Sequence, residues 1–354
     1  LEGFCRGHGV AVDEVRRDGD YVWVDKKIAG RPAGEILSEL LPNALRSMTF
    51  DKTMRWGSHR MRFVRPIRWI LATLDGHLVE FEIEGVQSGL TSRGHRFDFP
   101  EEFLATTLDT LLSELRKRNV EPDSQVREQK IRDQAVAVAE GVPDLPASLV
   151  QENVYLTEWP TAQQGRFSEK YLNLPEPVLV TAMAKHQRFF PVRNSSGEIT
   201  NRFVAVRNSG EEASVVAGNE WVLNARFNDA QFFYEEDQKR SLADFLKDTN
   251  RMLFQEKLGT VRARADRLSR LAALVAEKAG ADAAEVEFAR TAGLYAKADL
   301  VTGLVNELSS LQGVIGGVYA RAEGFPEPVC QAISGQYDLS HAGDEWSAGT
   351  RTGV

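Results

Sequence analysis

The sequence has little cysteine: Cys5 and Cys330 are the two it contains, far apart, with no Cys-x-x-Cys pair. Neither a disulfide framework nor a cysteine-based zinc site is supported, and the expected compartment is a reducing cytoplasm. No apolar run reaches the ~18 residues that span a bilayer. No signal peptide is read at the start. The six histidines stand apart, at positions 8, 59, 77, 95, 186 and 341, and form no HxxxH or HExxH pattern. A GxxxxGK[ST] loop and a GxSxG elbow are also missing, so P-loop and nucleophile-elbow chemistry find no support. Net positive charge is lacking too. Lys and Arg number 43 against 51 Asp and Glu, a formal charge of −8. A non-specific polyanion binder would ordinarily be basic overall. The chain begins at Leu1 without Met and stops abruptly at Val354, so a fragment of something longer is expected.

Core material is ample, with 42% apolar residues in 354, which implies two or three domains. Against the acidic background one run is basic. From Arg46 to Ile70 there are seven Lys or Arg and a single acid, Asp51. Trp56, Phe63 and Trp69 are interleaved with them. Guanidinium groups beside exposed rings suit phosphates and unstacked bases. The same spacing also suits a strand whose aromatics face a core while the arginines lie in water. Within the run, Arg55 and Arg62 (ahead of the apolar strand) are the candidates for direct contact, with Arg65 beside them. Arg68 is expected to be structural, and Ile67 and Trp69 to be core. If nucleic acid is the ligand, it meets a local patch on a repelling surface, which favours a shaped substrate such as tRNA over a duplex.

Two further clusters have the same character. In Ser92-Arg93-Gly94-His95-Arg96-Phe97, Gly94 would let the backbone approach a ligand, with Arg93, His95 and Arg96 around it. In Lys185-His186-Gln187-Arg188-Phe189-Phe190, the cations Lys185, His186 and Arg188 sit at a helix–strand junction. Each also has a plain structural reading, solvated loop charges in the first and helix-dipole compensation in the second. Arg226 and Asp229 fall three apart in a polar helix and can pair.

The first ~220 residues read as mixed α and β. Asp18-Gly19 and Asp75-Gly76 are two-residue hairpin signals, and Ser195-Ser196-Gly197 marks a third hairpin. Residues 69–74 are nearly continuously apolar and are expected to form a central strand. Residues 78–83 alternate and predict a half-buried one. Helices are predicted over 33–48 and twice between Pro100 and Gly141, one with the stripe Leu104, Leu108, Leu111, Leu112 and Leu115. From Gly218 onward no strand pattern is found, and an all-helical domain is predicted. Gly313, Gly316 and Gly317 in that part predict close helix packing. The fold class is therefore α+β, with one domain over 1–218 and a helical one over 219–354.

The ordered set of motifs resembles one family. Its carriers are Met54-Arg55-Trp56-Gly57, Arg62 to Trp69, Gly94-His95-Arg96-Phe97, Glu158-Trp159-Pro160 and His186 to Val192. Further on come Gly218-Asn219-Glu220, Phe232-Phe233-Tyr234, Lys257-Leu258-Gly259-Thr260, Lys297-Ala298-Asp299-Leu300 and Leu311-Gln312-Gly313. The chain resembles the β subunit of the bacterial two-subunit glycyl-tRNA synthetase. The resemblance implies an N-terminal part like the B3/B4 domain of the phenylalanyl-tRNA synthetase β subunit. It implies that a helical HD-like domain follows, with the C-terminal anticodon-recognising region absent. It also implies an α subunit that uses ATP and Mg to activate glycine, and a β subunit that binds glycine tRNA without a catalytic residue, cofactor or metal of its own. Neither a membrane nor DNA is implied as a partner. An editing hydrolase for mischarged tRNA, and a module that only assembles the α subunit, are the alternatives. Trp221 stands where the family usually has a basic residue, and Leu308 where an aromatic follows Glu307. The tail after Tyr337 is only loosely similar. Active HD enzymes hold metal through a His-Asp pair. Here Ala298 precedes Asp299, and His341 is the one histidine after Gly218, too few nitrogen ligands for a divalent pair.

Overall fold

A computed structural model describes residues 1–25 and 29–338; His341 and the loosely matching tail lie outside the described residues. The chain forms two compact units, Leu1–Arg118 and Asn119–Val354.

The first unit opens with a short helix, α1 (Glu2–His8), and a hairpin of β1 (Val15–Asp18) and β2 (Tyr21–Val24). Asp18 pairs with Tyr21, so the turn residues are Gly19-Asp20, one place later than the dipeptide suggests, with Gly19 at φ 59°. The predicted helix is present as α2 (Ala33–Ser47). The apolar run after Trp69 forms β3 (Ile70–Leu71) and β4 (Thr73–Leu74) rather than one central strand. The break is at Ala72. Its N–H donates to Gly89 while its carbonyl accepts from Val79, so the chain changes partners there. β4 pairs with β5 (His77–Leu78) across Asp75 and Gly76, both at positive φ, a type I′ turn. Glu84 and Gly85, also at positive φ, join β6 (Glu82–Ile83) to β7 (Val86–Gly89). In the resulting sheet β7 is central, with β3 parallel on one side and β6 antiparallel on the other. The alternation of 79–83 holds, with Val79, Phe81 and Ile83 buried and the glutamates out. β8 (Thr91–Arg93) pairs with β9 (Glu102–Leu104), and α3 (Leu108–Lys117) follows, capped by the Thr107 hydroxyl. Leu104 thus belongs to a strand and not to the helical stripe, and it and Leu108 are exposed.

The second unit is built around one antiparallel sheet. α4 (Ser124–Val138), β10 (Val142–Pro143), α5 (Ala147–Leu156) and β11 (Thr161–Arg166) come first. α6 (Glu176–Thr181), β12 (Phe190–Arg193) and β13 (Ile199–Arg207) follow, giving the order β10-β12-β13-β11. The 2-residue period sorts the faces. Phe190, Val192, Val204 and Ala162 pack with Ile131, Leu149, Val150 and Val154 of α4 and α5. Phe189, Phe203 and Ala205 point the other way, into a larger core that runs on to Ile333.

The 26-residue helix α7 (Glu212–Asp237) carries that continuity, contributing Leu223, Phe227 and Ala230. The expected boundary at 218/219 therefore falls inside a helix and inside a core. The compact units divide at Arg118 and Asn119 instead. After α7 come α8 (Leu242–Asp248), a small hairpin of β14 (Leu253–Gln255) and β15 (Gly259–Thr260), and α9 (Val261–Lys278). The last helices are α10 (Ala283–Tyr295), α11 (Gly303–Glu307), α12 (Val314–Ala322) and α13 (Glu327–Ser334). The hairpin corrects the expectation of an all-helical end. It was unreadable because Leu253, Phe254 and Gln255 are all exposed and show no alternation. The glycine expectation holds: a Cβ on Gly317 would stand 1.9 Å from Ser334 Oγ and 2.7 Å from Cys330 O. Among the described residues no helix is long and apolar enough to cross a membrane.

Candidate nucleic-acid interface

In the first unit, residues 54–63 form a loop closed by a Met54–Phe63 bridge, with backbone bonds of 2.9 and 3.1 Å. Arg62 donates to Thr53 Oγ1 at 2.9 Å, and Arg65 to the Val64 carbonyl at 3.0 Å. Both remain exposed, as do Arg55 and Arg68, which have no side-chain partner among the described residues. Arg68 is thus a free surface cation rather than a structural one. Trp69 is 45% exposed, which corrects its expected place in the core. Trp69 precedes β3, which is an edge strand of its sheet, so the ring is not enclosed by neighbouring strands.

Arg93 on β8 brings the second cluster to that tryptophan. Its guanidinium lies 5.8 Å from the Trp69 ring centroid and pairs with Glu102 at 2.6 Å. Arg96 lies 5.7 Å from the ring of Phe97, which is 75% exposed. Gly94 serves packing, since a Cβ there would come 2.4 Å from Arg118 Cβ. His95, expected on the surface, is buried. Its backbone N–H donates to Arg118 O at 2.8 Å, and its side-chain Nδ1 sits 3.3 Å from Asp98 Oδ2. His95 therefore pins the loop, and that pin holds Arg96 and Phe97 outward. The result is two exposed rings, Trp69 and Phe97, each beside a guanidinium, which is a surface suited to stacking unpaired bases.

In the second unit, Lys185 and His186 lie on a π-helical turn, Ala182–Gln187, after α6. Such turns widen the backbone ladder and are frequent at functional sites. Arg188 ends the turn in the left-handed region at φ 60°. It is spent internally, through Glu152 Oε2 at 2.9 Å and the Lys185 carbonyl at 2.5 Å, and its own carbonyl accepts from Asn153. It is a clamp between α5 and the turn, not a free phosphate ligand. Lys185 is exposed. His186 is partly buried, and burial, Arg226 and Arg188 lower its pKa. Arg226 does not pair with Asp229 as its spacing allowed; its Nε is buried without a partner, as are both polar atoms of Gln163. No sequence pattern marks Gln163, because its strand contributes it to a face otherwise filled by Phe203 and Ala205.

Several polar residues of the second unit, Glu220 and Asp299 of the motifs among them, are backbone anchors. Glu220 Oε1 accepts the Arg166 N–H at 2.8 Å and Asn224 Oδ1 the Ser168 N–H at 2.9 Å, so α7 satisfies the free edge around the end of β11. Asp237 accepts from Gly303 N, Leu304 N and Tyr319 Oη at 2.8, 2.9 and 2.9 Å. Asp299 Oδ2 accepts from Gly313 N at 2.6 Å and Gly316 N at 3.1 Å, and burial pushes its pKa up to about 6. With one oxygen committed to the start of α12 and a lysine two residues away, these donors do not fit a divalent ion. Among the described residues no cluster of three His, Cys, Asp or Glu is placed to hold a metal.

With this geometry in place, the comparisons identify the family. The family model described as glycyl-tRNA synthetase beta subunit matches residues 1–354, and the chain belongs to that family. Among curated relatives, the glycine–tRNA ligase beta subunit of Ligilactobacillus salivarius is 40% identical over 347 residues, 95% of this chain and 50% of the relative. The corresponding subunit of Desulforudis audaxviator is 41% identical over 362 residues, 99% of this chain and 52% of the relative. That of Aeromonas hydrophila is 38% identical over 358 residues, 98% and 52%. The chain spans about half the length of the curated relatives it matches.

Proposed function

We propose that this chain is a tRNA-contacting, non-catalytic portion of a glycine–tRNA ligase β subunit, supporting ATP-dependent attachment of glycine by an α subunit. In this reading the first unit and the sheet of the second are B3/B4-like, and the helices that follow are an HD-like scaffold. The observation that carries the reading is the exposed ring-and-guanidinium surface of Trp69, Arg93, Arg96 and Phe97 on a chain of net charge −8. Local attraction on a repelling background selects a ligand by shape as well as charge. Arg55, Arg62, Arg65 and Arg68 extend the cationic surface for phosphates, and Lys185 offers a separate exposed cation in the second unit.

Fluorescence anisotropy of the complete β subunit with its α subunit and labelled glycine tRNA tests this. Arg96→Ala is expected to reduce the slope of log affinity against log salt by about 1 if it meets a phosphate, or to cost about 1–3 kcal/mol if it meets a base. Unchanged affinity and slope for both Arg55→Ala and Arg96→Ala remove these residues from the interface.

The role beside an α subunit has a separate support. Trp221 and Phe232 are eleven residues, about three turns, apart on one side of α7 and are 73% and 57% exposed. Large exposed rings on a helix face suit a protein partner. Trp221→Ser with Phe232→Ser is expected to weaken subunit association in sedimentation without changing tRNA affinity.

A further inference from the structure

A cavity of about 440 Å³ opens between α9, α10 and the end of α13, inside the size range of small-molecule sites. It exists because α10 offers small residues there. Gly293 lets α10 approach α9 closely, since a Cβ would stand 2.8 Å from the Leu268 carbonyl oxygen. Ala289 and Ala292 then leave the space unfilled, while Leu268, Leu271 and Val275 form the opposite wall. Leu271 is 56% exposed and marks the rim.

The polar end is one-sided in charge. Arg264 and Lys297 line the cavity, and no carboxylate does so among the described residues. Lys297 is buried, and its ammonium donates to Gln336 Oε1 and, at 2.7 Å, to Tyr337 Oη, both neutral. The guanidinium of Arg264 rests over the Phe254 ring at 4.2 Å. Neither cation has an ion-pair partner among the described residues. The carboxylate of Asp299 is near enough to act on Lys297, but one of its oxygens is committed to the N–H groups of Gly313 and Gly316. Burial and Arg264 lower the Lys297 pKa to about 8, the mark of a cation short of negative charge.

We propose that this cavity binds a small amphipathic anion, with an aliphatic body between α9 and α10 and its acid group against Lys297 and Arg264. A nucleobase is disfavoured because its edge would find no free partner. Gln336 is the remaining polar lining residue, and its Nε2 already donates to the Ala296 and Ile333 carbonyls at 2.5 and 2.9 Å. A neutral aliphatic body leaves both cations uncompensated. Carboxylate and phosphate head groups share the chemistry required.

Isothermal titration calorimetry of the β subunit with octanoate, octyl phosphate and 1-octanol is the test. Octanoate or octyl phosphate is expected to bind at least tenfold tighter than 1-octanol, and the two acids together reveal which head group is preferred. Lys297→Met should lower affinity for the preferred acid at least tenfold. Leu271→Asp, at an exposed rim position that leaves the core intact, should do so by placing a like charge at the entrance. Absence of binding by both acids, binding of 1-octanol equal to theirs, or unchanged affinity in Leu271→Asp overturns the proposal.

Discussion

Asp299 is a carboxylate kept from water, with two backbone N–H groups on one oxygen and the core of the second unit around it. Desolvation outweighs those hydrogen bonds, so its pKa rises from 3.8 to about 6. A group whose folded pKa lies above its unfolded value binds more protons when folded. Its contribution to stability is present at low pH and is lost as pH rises from about 4 through 6. Asp299→Asn keeps an oxygen acceptor and removes the titration. The stability of the native chain relative to this variant is expected to fall by about 3 kcal/mol between pH 4 and pH 7, read by urea unfolding at each pH. A difference that stays flat across that window contradicts the assignment. Asp237 gives a simpler expectation. Its replacement by Ala leaves two backbone donors and the Tyr319 hydroxyl buried without an acceptor, and stability should drop by about 3–5 kcal/mol. Asp299 stands in a motif of the sequence, whereas Asp237 is marked by no pattern. The work of both as anchors was not legible there, because the groups they satisfy lie 14 to 82 residues away.

At the scale of elements, the turns were the most legible feature. Asp75-Gly76 and Ser195-Ser196-Gly197 mark hairpins that form, and Asp18-Gly19 marks one shifted by a residue. Glu84-Gly85 makes an equivalent turn unannounced, because Glu is an uncommon choice at positive φ. The apolar run after Trp69 misled because hydrophobicity does not say which sheet a strand joins, and this run serves two. His95 misled because imidazole is equally at home buried or exposed, and its burial depends on α3, more than twenty residues on. The contact between α12 and α13 was legible from its glycines. Gly317→Ala forces a methyl against the Cys330 carbonyl, and a loss of about 1–3 kcal/mol is expected in thermal unfolding, as for overpacked cores. A neutral substitution there means that the two helices separate more easily than their spacing implies.

At the scale of the whole molecule, composition suggested a boundary near Gly218, where strands give way to helices. Packing ignores that change of character. Phe167, Phe203, Phe227 and Tyr319 share one core, and α7 runs through the change without interruption. A fragment covering 119–338 is therefore expected to unfold in one cooperative step, while one beginning at residue 219 should lack a cooperative transition by circular dichroism. The reverse result places the boundary where composition suggested. The basic-aromatic surface belongs to the first unit, where Trp69 and Phe97 stand exposed beside Arg93 and Arg96. Exposed rings add little to folding, so their removal is expected to spare the fold and cost binding. The most direct measurement is the affinity of the complete β subunit for glycine tRNA with Trp69→Ala and Phe97→Ala combined. Base stacking on both rings predicts a loss of about 2–6 kcal/mol that persists at high salt, with the melting temperature unchanged. Native affinity in that variant contradicts the account.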